Sequence, residues 1–170
     1  MKNLFLGKNR IQSDEGKVTG KQVVLDGEDF YCITHGDRLR PFFLSIVSSG
    51  DLWMFLSSNG ALTAGRRHPD LALFPYVTDD KIHDSVETAG PKTILIAGCA
   101  GKKNLWEPFS GRNRGVYRIR RNLYKNFCGN KIIFEEINDD LGLTFRHGWA
   151  ASEQFGWVRQ AALASSAAAP

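Results

Sequence analysis

Apolar residues recur at every second position through much of this chain, and helical spacing is scarce. The cleanest stretch places Leu141, Leu143, Phe145, His147 and Trp149 on one face and Gly142, Thr144, Arg146 and Gly148 on the other. A side-chain period of two belongs to a strand with one face against a core. Phe155, Trp157, Arg159, Ala161 and Leu163 alternate likewise, after a short connection at Ser152-Glu153-Gln154. Tyr117, Ile119, Arg121, Leu123, Lys125 and Phe127 line one side of a further long strand. Cys128-Gly129-Asn130 turns it into a strand at 132–137, and Asn138-Asp139-Asp140 turns that one into the Leu141 strand. Upstream, 22–25, 30–33, 42–47, 52–56 and 93–97 are further strand candidates, separated by Asp26-Gly27, Ser49-Gly50-Asp51 and 98–101. Short strands at roughly ten-residue spacing predict an all-β, antiparallel sandwich with little helix rather than alternating βαβ units.

The size fits that reading. A chain of 170 residues with 42% apolar and 24% charged residues suits one soluble globular domain. Seventeen glycines and eleven phenylalanines favour many turns between aromatic-rich strands. The domain is expected over 1–163, with the Ala/Ser-rich 164–170 as a tail or a point of truncation. Three cysteines, an odd number, exclude a complete disulfide framework. The N-terminal apolar run Leu4-Phe5-Leu6 is far too short for a signal peptide or a membrane span. A cytoplasmic protein with free thiols and no membrane partner is the expectation.

Chemistry concentrates at 59–82. Asn59-Gly60 offers the positive φ of a tight hairpin turn after the apolar run 52–56. Beyond it, Arg66, Arg67, His68, Asp70, Tyr76, Asp79, Asp80 and Lys81 crowd onto backbone expected to be irregular, broken by Pro69 and Pro75. Aromatics beside charged hydrogen-bonding groups suit a sugar or another polar ligand. Arg66, Asp70, Tyr76, Asp79, Asp80 and Lys81 are therefore the ligand-facing candidates. The plainer account is a structural connection whose charges face water and whose Phe74 and Tyr76 plug the core, pinned by an Arg66–Asp79 or Lys81–Asp70 ion pair.

Other motifs fall short of a site. The run at 94–103 lacks the glycine spacing and the hydroxyl residue of a phosphate loop, and reads as a Gly-rich strand connection. Cys32-x-x-His35 is a single ligand pair, and His68, His83 and His147 are isolated, so no metal or cofactor is expected. His147 is read as part of a packed face with Phe145 and Trp149. The adjacent pairs Asp79-Asp80, Glu135-Glu136 and Asp139-Asp140 cannot work as an acid and base from one strand, whose neighbours face opposite ways. No complete catalytic set is present. Arg112, Arg114, Arg118, Arg120, Arg121 and Lys125 form the one basic cluster, but a net charge of +4 argues against a nucleic-acid partner. On a strand such arginines simply solvate an outer face.

Several long motifs resemble the amino-terminal region of large bacterial proteins related to cellobiose phosphorylase. They include 42–48, Asp51-Leu52-Trp53-Met54-Phe55, 57–66, Ala72-Leu73-Phe74-Pro75-Tyr76 and Thr78-Asp79-Asp80-Lys81-Ile82. Leu105-Trp106-Glu107-Pro108-Phe109, 122–126, 129–131, 134–138 and 141–145 continue the likeness, which covers about residues 20 to 163. The resemblance implies a β-supersandwich of the galactose-mutarotase-like kind. In that family it is followed by a six-hairpin α-barrel that holds the catalytic acid and the sugar and phosphate pocket. This chain would then be a sandwich domain, inert alone, that supports binding of an oligosaccharide substrate and packs on a carboxy-terminal α-barrel. The alternative is a stand-alone carbohydrate-binding or scaffolding module. Packing on a barrel implies an exposed apolar patch, for which the aromatics of the Phe145–Trp149 and Phe155–Trp157 strands are the candidates.

Overall fold

The computed structural model describes residues 4–11, 16–48, 50–99, 101–112 and 115–166. Its strands are β1 (Phe5–Leu6), β2 (Asn9–Arg10), β3 (Thr19–Leu25), β4 (Glu28–Thr34), β5 (Phe43–Ile46), β6 (Leu52–Ser57) and β7 (Leu62–Arg66). They continue with β8 (Ala72–Phe74), β9 (Leu95–Cys99), β10 (Lys102–Trp106), β11 (Ile119–Asn126), β12 (Lys131–Asn138), β13 (Leu143–Ser152) and β14 (Gly156–Ser165). The only helical elements among the described residues are 3-10 turns at Gly36–Arg38, Pro69–Leu71 and Ile82–Ser85. The protein is all-β and antiparallel, as its period-two pattern predicts.

Two sheets form the body. The larger has the order β14-β13-β12-β11-β4-β3, and the smaller the order β5-β6-β7-β8. Each is largely a meander, in which consecutive strands pair. The exception is β4, which pairs with β11 so that Thr34 lies opposite Asn122. Ile46, Met54, Leu56, Leu62 and Ala64 of the small sheet meet Leu123, Ile132, Phe134 and Trp149 of the large one in a single buried cluster. Phe74 meets the Trp149 ring edge to face at 6.1 Å. These side chains alternate along their strands, so sequence periodicity translates directly into the inner layer.

Two expectations need correction. A third of the supposedly irregular 59–82 is strand. Asn59-Gly60 does make the hairpin turn, with φ 98° at Gly60, but β7 and β8 follow it as paired strands, with a register shift between Ala64 and Gly65. The aromatic residues proposed as an exposed patch divide. Phe145 and Trp149 are buried in the core and Trp157 packs against it, while Phe155 is 72% exposed. The last strand, β14, runs to Ser165. The Gly-rich stretch at 98–101 joins β9 to β10 as a hairpin, and Gly101 takes φ 75° there.

Candidate functional site

The segment after β8 folds back over the outer face of the small sheet. Thr63 Oγ1 donates to the Pro75 carbonyl at 3.0 Å, Ser57 Oγ lies 2.8 Å from His83 Nδ1, and Asn59 Nδ2 donates to the His83 carbonyl at 2.8 Å. Ser57 and Thr63 are fully buried beneath it. A hydroxyl with no exposed surface has no path to a substrate, so the Ser57–His83 contact is a pin and not a nucleophile and base.

The rest of that face is aromatic. Phe43, Phe55, Trp53 and Tyr76 make a continuous row with centroid separations of 5.4, 5.7 and 5.9 Å. Cross-strand pairing explains the row. Trp53 and Phe55 sit at alternate positions of β6, pointing away from the core residues Met54 and Leu56. Trp53 lies opposite Gly65, where a Cβ would come within 2.6 Å of its ring. Glycine there lets the indole lie down on the sheet. Phe43 and Tyr76, at the two ends, are 43% and 47% exposed.

Of the six ligand-facing candidates, only Tyr76 belongs to this row, with its ring edge-on to Trp53 at 79°. Phe74 plugs the core as the plainer account has it, but Tyr76 does not. Arg66 ends β7 and is exposed. Asp70 sits in the 3-10 turn at Pro69–Leu71 and faces His68 at 3.5 Å. Asp79 and Asp80 are exposed in the turn before Ile82–Ser85, and Lys81 is that turn's N-cap. A hydrogen bond from the Thr78 side chain holds the Asp80 carboxyl below its ordinary value. Among the described residues neither Arg66–Asp79 nor Lys81–Asp70 forms an ion pair. The hydrogen bonds from Asn59, Ser57 and Thr63 pin the segment in their place.

The large sheet carries two buried carboxylates on opposite faces. Glu136, on the inner side, accepts from Trp106 Nε1 at 2.8 Å, the Phe109 amide at 2.7 Å and Arg121 Nε at 2.7 Å. Phe109 has φ 66°, an uncommon value for a residue with a side chain, and its bond to Glu136 fixes that bend. Glu135, on the other face, accepts from Asn122 Nδ2 at 2.7 Å, Tyr124 Oη at 2.8 Å and Arg146 Nε. Burial works against its ionisation, but these hydrogen bonds outweigh burial and hold the carboxyl below its ordinary value. Burial, then the bond to Glu135, pushes the Tyr124 phenol well up.

The basic cluster is largely neutralised. Arg112 faces Glu87, Arg118 faces Asp140, Arg120 faces Asp139 and Arg121 faces Glu136. Arg121 thus points inward onto a buried carboxylate, contrary to its reading as part of a solvated outer face. Arg114 lies outside the described residues. No group of three His, Cys, Asp or Glu among the described residues could hold a metal ion. No helix among them is long and apolar enough to cross a membrane.

No protein-family model matches the chain, and no curated protein matches it.

Proposed function

We propose that this chain is the sandwich domain of a carbohydrate-active, glycoside-phosphorylase-like enzyme, and that its small sheet offers a sugar-binding surface. The observation that carries the reading is the aromatic row Phe43–Phe55–Trp53–Tyr76. Rings held on a rigid sheet, separated by about the length of one pyranose residue, can stack or edge against successive sugar faces at low entropic cost. The likeness of 42–48, 51–55 and 72–76 to the cellobiose-phosphorylase-related proteins covers these same residues, which favours the sugar reading over a plain packing face.

Exposed apolar groups at two further places support a neighbour such as an α-barrel domain. Ile94, Ile96 and Leu105 on the β9–β10 hairpin are 65%, 71% and 55% exposed, and Leu163 on the edge strand β14 is 53% exposed. Apolar groups left uncovered on a hairpin and an unpaired edge are what a docking domain would bury. A reducing, cytoplasmic setting suits the free thiols of buried Cys32 and exposed Cys128.

Titration with a soluble cello-oligosaccharide, followed by tryptophan fluorescence, tests the sugar surface. Saturable quenching is expected. Tyr76→Ala, at the exposed end of the row, should weaken binding about tenfold while changing stability by no more than ~1 kcal/mol. Equal binding by Tyr76→Ala, or none by the parent protein, would remove the row from the site.

A further inference from the structure

A narrow cavity of about 20 Å³ lies between the β6–β7 turn, the segment leading into β9 and the inner faces of β13 and β14. That is room for one or two water-sized groups. Lys92, Thr93, Phe109, Phe145, His147 and Arg159 contribute most of its wall. Sugar binding on the outer face of the small sheet does not involve it.

Arg159 is the first anomaly. Its guanidinium donates to Thr93 Oγ1 at 3.3 Å, yet its Nε is buried with no hydrogen-bond partner. Among the described residues no carboxylate lies within ion-pair distance of it. His147 is the second. It is 6% exposed, stacked on Phe134 at 5.2 Å and edge-on to Phe109 at 5.0 Å, and its Nδ1 is likewise buried without a partner. Burial, and then the charge of Arg159, pushes its pKa down to about 3. The ring is therefore neutral at pH 7, and Arg159 keeps its charge uncompensated.

The other cation is already engaged. Lys92 donates to the Val86 carbonyl at 2.8 Å and to Glu87 at 3.0 Å. Glu87 also accepts from the Gly111 amide at 2.8 Å and faces Arg112 at 3.4 Å, so it has no capacity left for Arg159. What remains is a wall with an unused guanidinium donor, an unanswered positive charge and apolar flanks. Buried polar groups without partners are rare, because each carries its full desolvation cost. An anionic acceptor would remove it.

We propose that this cavity binds a small carboxylate, held by the Arg159 guanidinium and the Thr93 hydroxyl beside the touching Phe109 and Phe145 rings. A guanidinium is a planar fork that matches a planar carboxylate. Room for one or two water-sized groups matches a carboxylate no larger than formate; the four oxygens of a phosphate exceed it.

The test is calorimetric titration of the whole chain with formate, acetate, phosphate and chloride at constant ionic strength. Saturable binding of formate is expected, with a rise in melting temperature. Arg159→Gln should weaken it at least tenfold and Thr93→Val several-fold, whereas Arg118→Gln, on the surface, should leave it unchanged. Circular dichroism checks that each variant is folded, and Thr93→Val decides the matter if Arg159→Gln is not. Absence of saturable carboxylate binding, tighter binding of phosphate or chloride, or undiminished binding in the folded variants would overturn the assignment.

Discussion

Arg146 and His147 are neighbours on β13 that face opposite sides of one sheet, one half-exposed and one buried, and the polar groups around them are paired differently. On the Arg146 side, Glu135 accepts from Asn122, Tyr124 and Arg146, so a buried charge meets a full set of donors. On the His147 side, another arginine lies close by, but no carboxylate among the described residues answers it, and Arg159 Nε and His147 Nδ1 have no partner. Both clusters are partly or wholly buried and both contain a titratable group. The first is closed to ligands because its hydrogen-bonding capacity is used up, and the second is open because its capacity is not. Burial of polar groups alone does not separate a structural network from a binding site; a buried charge left unanswered beside a cavity does.

The sharpest way to break the comparison is to open the closed cluster. Glu135→Ala leaves the Tyr124 hydroxyl, the Asn122 amide and Arg146 without their shared acceptor. A loss of about 3 kcal/mol in urea unfolding is expected, at the low end for a broken buried pair because water can reach the half-exposed Arg146. Glu135→Gln, which keeps one acceptor oxygen, should lose less. A loss below ~1 kcal/mol for the alanine variant would mean that the network is no more than a surface pair.

Acid distinguishes the two sides more finely. His147 has an ordinary value of 6.5 that burial lowers to about 3 in the folded protein. The unfolded chain takes up its proton first, so stability drains away as the pH falls from 6.5 towards 3. Glu135 is held below its ordinary 4.5, so its contribution is present above that value and is lost only in stronger acid. Unfolding curves of His147→Phe should therefore be flatter than the parent's between pH 6.5 and 4.5, with acid loss below 4.5 retained. An unchanged slope in the upper window would show that His147 takes up its proton in the folded state as well.

The smallest effect belongs to the surface. Arg120 donates to both Asp139 oxygens, at 3.1 and 2.7 Å, but the two side chains are 41% and 37% exposed. Arg120→Gln should lose less than ~1 kcal/mol, and that difference should vanish in high salt. A salt-insensitive loss would place this pair with the Glu135 network.

Much of the fold was legible because period two survives wherever one strand face is buried, as along β11 to β14. β7 and β8 were missed for a local reason. Thr63-Ala64-Gly65 offers small groups with no alternation, and β8 is a three-residue strand between Pro69 and Pro75. The sites were less legible. Tyr76 stood out beside its polar neighbours, but Trp53 and Phe55 sit in an apolar run that reads as a buried strand. Only the pairing of Trp53 with Gly65 and of Phe55 with Ser45 puts their rings on the outside. His147 was recognisable as a packed residue, yet its nearness to Arg159 depends on the β13–β14 register, which a single sequence does not encode.

The pairing of β4 with β11 has a kinetic consequence. Nearly every other ladder joins strands that follow one another along the chain, so each meander can assemble by short loop closures. Bringing Thr34 to Asn122 must instead close a loop spanning half the polypeptide, which carries the largest entropy cost and gives no contact until it is complete. The expected order is early formation of the β5–β8 and β11–β14 meanders, then late docking of the β3–β4 hairpin as the fifth and sixth strands of the large sheet. Until that docking, Tyr124 and Cys32 face solvent, and the exposed flank of β11 is the surface on which a stalled chain would find a wrong partner.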